Sequence, residues 1–303
     1  MTNFDTLAQR IRTGNAKKLV VVGAHESNVL KGVARAAHDG IADPVLLGDQ
    51  DEIEKIAENE SIDLTGHRIV NVPDIQEAAL IAMEMVRGKE AGALMKGKIL
   101  TADLMRIGIK NGLRRDDRLL SHIVVYQFKN LNRLISLTDS GIVPYPTLKQ
   151  RVQIIKNAVE TVRFLGVEQP NVAALASSEE VDEKFKVSVD AKALSDMNKP
   201  GGELEGWGKI DGPIDLFSAL DAEAAKTKGI ISEIAGKTDI LHCPDVVAGN
   251  LLAKAIIYFS KDTKMGGCVV GGSVPLVLLS RASKADDKYY SILLGLACSP
   301  DHS

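Results

Sequence analysis

Cysteine is scarce in this chain of 303 residues, and the few that occur form no pattern. Cys243, Cys268 and Cys298 lie far apart in the sequence, and no CxxC pair is present. This spacing excludes the disulfide framework of a small secreted domain and a zinc site built from cysteines. A sparse, unpaired set is typical of a reducing compartment, so the sequence predicts a cytoplasmic protein.

A strong charge of one sign and a long apolar run are also missing. The net charge of −3 gives no bulk attraction to nucleic acid or to an anionic membrane, so neither is expected as a partner. No apolar stretch approaches the roughly 18 residues that a membrane-spanning helix needs. The first residues, MTNFDTLAQRIRTGN, lack the apolar core of a signal peptide. Any anionic ligand must therefore be held by local positive groups.

Familiar catalytic and metal-binding motifs are equally sparse. Gly23 is the single glycine of VVVGAHESN, where a dinucleotide fingerprint needs G-x-G-x-x-G. No G-x-S-x-G nucleophile elbow occurs, and the six histidines show no metal-ligand spacing. These absences argue against a dinucleotide cofactor and a serine hydrolase, and the sequence predicts no permanently bound cofactor or metal.

What the chain does have is an alternation of short apolar runs with amphipathic stretches. KKLVVVGA, PVLLG and AGALMKG have the pattern of buried strands with helices between them. This alternation predicts an α/β fold with a parallel sheet, and the length predicts two domains. SHIVVYQF and LNRLISLTD follow one another too closely for a parallel crossover, so they are expected to form an antiparallel pair.

The segment ALMKGKILTADLMR is the first candidate site. Lys96 and Gly97 end an apolar run, and Thr101 stands at the expected start of a helix. Glycine allows close backbone approach, and helix N-terminal amides with nearby ammonium groups suit a phosphate. The alternative is that Thr101 is a helix cap and the lysines are solvated.

Two further segments offer weaker candidates. His122 begins the run SHIVVYQF, where histidine is either a structural hydrogen-bonding group or a general base. Gly249 and Asn250 follow a strand-like segment and lead into an apolar stretch. They either make a turn before a core helix or meet a ligand with backbone and amide groups.

The C-terminal run GGCVVGGSVPLVLLSR is the most informative. Gly271 and Gly272 weaken a strand, which makes sense where a ligand or another backbone comes close. Arg281 follows the next strand, where ligands bind in open α/β sheets and a guanidinium grips a phosphate at two points. Of Asp286 and Asp287, one suffices to cap the following helix, which leaves the other for another task. The alternative is that both cap the helix and pair with Arg281.

These segments together resemble the phosphate acetyltransferase/phosphate butyryltransferase family, and most closely its butyryltransferase branch. The similar segments lie in the family's order within residues 93–298. They are LMKGKILTADLMR, LLSHIVVY, IIKNAVETVRFLGVEQPNVAALASSEEVD, DGPIDL, DILHCPDVVAGNLLAKAIIYF and GGSVPLVLLSRASKADDK.

The resemblance implies a fold like that of isocitrate and isopropylmalate dehydrogenases, with two α/β domains flanking a cleft. The first domain would comprise residues 1–145 and 267–303, and the second would comprise residues 146–266. The second domain would mediate a homodimer, since such a dimer is what the resemblance suggests.

The resemblance also implies a reaction, acyl-CoA + phosphate ⇌ acyl phosphate + CoA, with coenzyme A as a substrate. In the direction that consumes acyl phosphate, Asp287 would be the general base toward the thiol. Arg281 would hold the phosphoryl oxygens, and Ser280 would donate a hydrogen bond to the carbonyl or phosphate oxygen. The remaining expected substrate-binding residues are Lys96, Gly97, Thr101, His122, Gly249, Asn250, Gly271 and Gly272.

Two positions depart from the family's pattern. Val143 stands near the place of an asparagine, and Phe217 stands where an aspartate often sits, with Asp215 nearby. These changes bear on substrate identity more than on reaction class. The expected acyl group is short, butyryl or similar. Three other functions remain open, namely a phosphate acetyltransferase of the same family, a nicotinamide-dependent hydroxy-acid dehydrogenase of the same fold and a non-catalytic CoA-binding protein.

Overall fold

The computed structural model describes residues 3–280 and 282–300. They form two compact units. The terminal unit combines residues 3–118 with the described residues from 264 to 300, and the central unit spans residues 119–263. The chain therefore leaves the terminal unit once, builds the central unit, and then returns.

Strands and helices alternate through the terminal unit, and its elements follow in chain order. They are α1 (Phe4–Arg12), β1 (Lys17–Val22), α2 (Ser27–His38), β2 (Ala42–Gly48), α3 (Gln50–Asn59), β3 (Arg68–Asn71), α4 (Ile75–Arg87), β4 (Ala93–Lys96), α5 (Thr101–Lys110), and later β10 (Lys264–Val270), β11 (Leu276–Val277) and α11 (Ala285–Ala297).

The strands of the terminal unit lie in the order β3-β2-β1-β4-β11-β10. Neighbours pair in parallel, except that β10 runs antiparallel to β11. Leu19, Val20, Val21 and Val22 of β1 are fully buried, as expected for a central strand covered on both faces. The parallel sheet predicted from the apolar runs is confirmed.

The central unit contains the remaining elements. They are β5 (Ser121–Gln127), β6 (Leu134–Thr138), α6 (Leu148–Phe164), β7 (Asn171–Leu175), α7 (Lys186–Met197), β8 (Lys209–Ile214), α8 (Leu216–Leu220), α9 (Ala222–Thr227), β9 (Ile240–His242) and α10 (Val246–Phe259). The strand order is β5-β6-β9-β7-β8. The expected antiparallel pairing of β5 with β6 is confirmed, and the other neighbours are parallel.

The domain boundary differs from the one expected from the sequence. Residues 119–145 belong to the central unit, whereas the sequence analysis placed them in the first domain. The physical reason is strand pairing, because β6 hydrogen-bonds to β9 as well as to β5. Residues 264–266 likewise belong to the terminal unit, since β10 begins at Lys264 and pairs with β11.

The α/β class is confirmed in both units, whereas the likeness to isocitrate and isopropylmalate dehydrogenases stays a prediction. Among the residues that the structure describes, no helix combines the length and apolarity needed to cross a bilayer.

Candidate active site

The sheet of the terminal unit changes direction between β1 and β4. From β1 the chain moves outward to β2 and β3, and it then returns to β4 on the other side of β1. In open α/β sheets, ligands bind beyond the carboxyl ends of the strands at such a switch point. The edge formed by the carboxyl ends of β1, β4 and β11 is therefore the place to look for a site, and we call it the switch edge.

Two helices at the switch edge begin without a capping side chain. The outer helices α3 and α4 are capped by the carboxylates of Asp49 and Asp74. By contrast, α2 begins after Glu26 and α5 begins after Leu100, and neither side chain accepts a hydrogen bond from the first turn. Backbone N–H groups of this kind, with the helix dipole behind them, favour an anion.

The Lys96–Gly97 segment brings β4 against β1. The Gly97 N–H donates to the carbonyl oxygen of Val22 at 2.9 Å, and the Lys98 N–H donates to that of Gly23 at 2.7 Å. A β-carbon on Gly97 would overlap the Gly23 carbonyl oxygen. Lys96 is buried, and its ammonium donates to the Gly97 carbonyl oxygen at 3.1 Å. Gly97 is thus required by the close approach of two backbones.

We expect Gly97→Ala to destabilise the protein. The added methyl group meets backbone and not a flexible side chain, so the strands must separate, at a cost of about 1–3 kcal/mol in the free energy of unfolding. Urea denaturation measures the effect. Gly14→Ala is the matched control, because its β-carbon would meet only the Ile11 carbonyl oxygen at an ordinary 3.6 Å. Equal stability of the two variants would contradict the close approach.

Thr101 is the first residue of α5 and is exposed at the switch edge. The capping alternative for Thr101 is wrong, since the cap position is occupied by Leu100. Lys98 reaches sideways to Glu52, with 3.5 Å between its ammonium and the carboxylate. His25 also lies 3.7 Å from that carboxylate.

Ser280 lies beyond the carboxyl end of β11 and is exposed. Its Oγ accepts a hydrogen bond from the Ala282 N–H at 3.3 Å, and its carbonyl oxygen accepts one from the Ser283 N–H at 3.1 Å. The Ser280 hydroxyl donates to none of the residues that the structure describes, so its proton can point to a ligand. Arg281 lies outside the described residues.

The two aspartates of α11 have different surroundings. Asp286 is exposed and pairs with Arg35 at 2.8 Å. Asp287 is half-buried, and its Oδ2 accepts from the Lys284 N–H at 3.0 Å. Burial raises the pKa of the Asp287 carboxyl above its ordinary value. The residue predicted as general base therefore also accepts from the N–H of Lys284, the cap residue of α11, while its Oδ1 accepts no hydrogen bond from residues 3–280 or 282–300.

Lys288 is the residue that sequence reasoning missed. Its side chain is buried, and the ammonium lies 3.6 Å from the Glu26 carboxylate and 3.5 Å from the Ser280 carbonyl oxygen. The sequence feature that could have revealed it is a lysine directly before YYSILLGLA, an apolar stretch that is expected to be buried. Lys288 thus joins the start of α2 to the Ser280 turn.

The structure does not bring Gly271 and Gly272 to the switch edge. They follow β10, which runs antiparallel to β11, so they lie toward the amino end of β11. There Gly272 bridges to Arg114, and the Ser273 N–H donates to the Leu113 carbonyl oxygen at 2.8 Å. Ser280 lies beyond the opposite end of the same strand. A substrate role for the two glycines stays a prediction.

In the central unit, His122 belongs to a buried polar cluster. Its Nδ1 lies 2.8 Å from the Ser140 Oγ, and its carbonyl oxygen accepts from the Thr138 hydroxyl at 3.0 Å. The buried Asp139 carboxylate accepts from the backbone N–H groups of Gly141, Ile142 and Val143. Burial raises the pKa of Asp139, although these three donors act in the opposite direction.

Gly249 and Asn250 support the same cluster from α10. A β-carbon on Gly249 would overlap the Asp139 carbonyl oxygen, and the Asn250 Nδ2 donates to the Ser140 carbonyl oxygen at 3.0 Å. These contacts therefore hold the turn after β6 in place. The position of that turn then determines the orientation of the His122 side chain.

The two departures from the family's pattern have different environments. Val143 is buried, and its N–H helps to hold Asp139. Phe217 is 74% exposed at the start of α8. Asp215 does not replace it as a free carboxylate, because it caps α8 and pairs with Lys228.

The buried thiols are poor nucleophiles. Cys243 and Cys268 are buried, and burial raises the pKa of Cys243 to about 12 and that of Cys268 well above its ordinary value. A thiol that stays protonated does not attack a carbonyl group. Within the described ranges, no group of three or more His, Cys, Asp or Glu side chains is placed to hold a metal ion.

Comparison with known proteins gives matches along most of the chain. The family model described as phosphate acetyl/butaryl transferase matches residues 3–78 and 73–296. The chain is 37% identical to the phosphate butyryltransferase of Clostridium acetobutylicum over 298 residues, which is 96% of each chain. It is 38% identical to the phosphate acetyltransferase of Thermotoga maritima over 283 residues, 93% of this chain and 95% of the relative.

A solved structure gives a similar result. The branched-chain phosphotransacylase from Enterococcus faecalis V583 superimposes with a TM-score of 0.82 at 25% sequence identity. The match covers 93% of this chain and 98% of that one.

Proposed function

The chain belongs to the phosphate acetyltransferase/phosphate butyryltransferase family, and on that premise we propose that it moves a short acyl group, butyryl or one of similar size, between coenzyme A and phosphate. The reaction is acyl-CoA + phosphate ⇌ acyl phosphate + CoA. The observation that carries the proposal is the switch edge, where two uncapped helix N-termini lie beside the Lys96 segment, the Ser280 hydroxyl and the half-buried Asp287 carboxyl.

Asp287 acts as the general base toward the coenzyme A thiol. A free thiol has a pKa of about 8.5, so little thiolate exists near neutral pH without a base. Burial raises the pKa of Asp287, which makes its carboxylate a stronger proton acceptor than an exposed aspartate. Oδ2 remains engaged with the Lys284 N–H, so Oδ1 takes the proton.

The thiolate attacks the carbonyl carbon of the acyl phosphate, and phosphate leaves with the electron pair of the broken C–O bond. Arg281 holds the phosphoryl oxygens, since a guanidinium offers two parallel donors and keeps its charge. The Ser280 hydroxyl donates to the carbonyl or phosphate oxygen on which negative charge develops. Lys96, Gly97 and Thr101 line the same edge as the source of further anion contacts.

No covalent acyl-enzyme is needed, because both substrates meet in one complex and react directly. The protonated state of Cys243 and Cys268 supports this route, since neither thiol is activated. In the reverse direction, phosphate attacks the acyl-CoA carbonyl and the protonated Asp287 returns the proton to the departing thiolate.

The proposal is tested with acetyl-, propionyl-, butyryl- and isobutyryl-CoA in the presence and absence of phosphate. Free thiol should appear only when phosphate is present, with butyryl-CoA or a neighbour giving the highest kcat/KM. Apolar pockets separate acyl groups by only about 1–3 kcal/mol per methylene, so several members of the panel should react. A phosphate acetyltransferase would show its highest value with acetyl-CoA. Coenzyme A binding without phosphate-dependent thiol release from any acyl-CoA would instead indicate a non-catalytic binding protein.

The nicotinamide-dependent dehydrogenase is not proposed. The relatives described above are acyltransferases, and none of them supports hydride transfer. The sparse cysteines, two of them buried, support a cytoplasmic location for the enzyme.

A homodimer formed through α10 is part of the proposal. This helix is apolar along most of its length, yet five of its large side chains are exposed, namely Val247, Leu251, Ile257, Tyr258 and Phe259. Exposed apolar patches of this kind mark interaction surfaces. A helix that pairs with its own copy about a two-fold axis covers the same patch on both subunits.

We expect Leu251→Glu to convert the dimer to a monomer, because Leu251 is 65% exposed in the middle of α10 and a buried carboxylate would lack a partner. Sedimentation velocity measures the change. Ile231→Glu is the control, since Ile231 is also an exposed aliphatic residue but lies outside α10. A monomeric wild-type protein, or a dimer that survives Leu251→Glu, would rule out this interface.

A further inference from the structure

Lys288 is 2% exposed, although its side chain carries a charge. Lysine is almost never buried to this extent unless its ammonium is paired. In the second turn of α11, Lys288 is followed by Tyr289 and Tyr290, which are also buried. The position is thus one that an apolar residue would normally fill.

The packing of α2 against α11 makes room for the lysine stem. A β-carbon on Gly32 of α2 would lie 2.8 Å from the Lys288 Cβ and 3.1 Å from the Ala285 carbonyl oxygen. With glycine there, the two helices approach closely, and the Lys288 side chain runs toward the start of α2. Its ammonium then lies 3.6 Å from the Glu26 carboxylate, in the loop between β1 and α2.

The same ammonium also donates to the carbonyl oxygen of Ser280, at 3.5 Å. That oxygen already closes a turn by accepting from the Ser283 N–H. A second hydrogen bond comes from α2, where the Asn28 Nδ2 donates to the Ser283 carbonyl oxygen at 3.3 Å. The carbonyl oxygens of Ser280 and Ser283 are therefore both held by side chains.

Stability alone does not account for the Glu26–Lys288 pair. Removing the Lys288 ammonium from water costs several kcal/mol, and a buried charge with its partner often does no better than apolar residues of the same volume. Methionine fills the volume of a lysine stem without that cost. The positive charge of Lys288 therefore has a role that an apolar side chain could not fill. That role is to hold the carbonyl oxygen of Ser280.

We propose that Lys288 is a positioning residue for acyl transfer. Paired with Glu26, its ammonium fixes Ser280 relative to the Asp287 carboxyl, which lies one residue before Lys288 on α11. This inference rests on the proposed function, since Ser280 and Asp287 are its donor and base.

The charge of Lys288 also affects the pKa of Asp287, together with the other charges nearby. Lys284 and Asp286 lie on the same helix, Glu26 faces Lys288 from the β1–α2 loop, and Arg35 of α2 is paired with Asp286. Burial raises the pKa of Asp287, and the positive charge of Lys288 acts in the opposite direction. Without that charge the pKa of Asp287 rises further.

The test is Lys288→Met, which keeps the volume and removes the charge. We expect kcat to fall on the order of ten- to hundredfold, with a smaller change in KM, because the reacting groups are misplaced while binding survives. The acid limb of the kcat profile should move to higher pH, since Asp287 must lose its proton at a higher pH. A change of stability alone would not move that limb.

Two further variants keep the inference falsifiable. Glu26→Gln removes the partner charge from a side chain that is 22% exposed, and it should lower kcat in the same direction if Lys288→Met fails to fold. The two substitutions together should cost less than the sum of their separate effects, because they break one contact. Lys31→Met is the control. Lys31 also lies on α2, and its ammonium forms an exposed pair with Glu60, which follows α3.

The outcomes are distinct. Wild-type phosphate-dependent thiol release establishes the function, whatever the variants do. If Lys288→Met then keeps both kcat and the acid limb of wild type, or loses activity only in proportion to lost folded protein, the positioning role is overturned. If the wild-type protein itself releases no thiol, the proposed function fails and this inference fails with it.

Discussion

We expect Asp287→Asn to lower kcat by about 10²–10⁴-fold without loss of folded protein, because an amide cannot take the thiol proton. The amide oxygen can still accept from the Lys284 N–H, so the start of α11 stays capped. The measurement is the initial rate of thiol formation or consumption with saturating substrates, together with the melting temperature.

The pH dependence of stability determines whether Asp287→Asn should stabilise or destabilise the folded protein. Burial raises the pKa of Asp287 in the folded protein, so the proton is held more tightly there than in the unfolded chain. The stabilisation that follows is present at low pH and is lost as pH rises through the folded-state pKa. Above the folded-state pKa the wild type has lost it, and Asp287→Asn avoids the cost of a buried charge. The variant should therefore be at least as stable as the wild type near pH 7.

Asp286→Asn is the matched control for this pair of measurements. Asp286 lies in the same turn but is exposed and pairs with Arg35, so its loss should leave kcat close to the wild-type value. An Asp286→Asn variant that loses as much activity as Asp287→Asn would show that the two carboxylates have been assigned the wrong roles.

The second large effect is expected from Arg281→Lys. Lysine keeps the positive charge but offers a point charge in place of two parallel donors, so the grip on the phosphoryl oxygens becomes looser. Losing a preorganised donor to a developing negative charge typically costs about 10²–10³ in turnover. Because phosphate is also a substrate, KM for phosphate should rise in the direction that forms acyl phosphate.

Arg115→Lys serves as the control for that substitution. Arg115 is exposed and pairs with Asp117 at 2.9 Å, so the same change of side chain there should leave the kinetics unaltered. Full activity of Arg281→Lys with each acyl-CoA of the panel would contradict the assignment of Arg281 as the phosphate-binding group.

Local patterns in the sequence predicted most of the fold. The apolar run that became β1 is buried on both faces, and the short connection between β5 and β6 required an antiparallel pair. The structure groups residues 119–145 with the central unit because β6 pairs with β9, about a hundred residues further along the chain, and the sequence analysis did not include that pairing. Such pairings leave no local trace in a single sequence.

The residues of the candidate site differ in how clearly the sequence indicates them. Gly97 and Asp287 stood out because their residue types suit a close backbone approach and a helix start. Lys288 did not, because a lysine beside an apolar stretch is normally solvated, and only the packing of α11 against α2 shows that this one is buried. The position of Gly271 and Gly272 depended on the antiparallel direction of β10, which their own residue types do not determine.

The return of the chain to its first unit has a consequence for synthesis on the ribosome. β11 lies between β4 and β10, so the sheet made from the first hundred residues keeps an open edge at β4 until the last forty or so have emerged. An unpaired strand edge readily joins another chain. Nascent chains that stall before β11 should therefore be prone to aggregation, and they would lack the serine, the arginine and the aspartate on which turnover is proposed to depend.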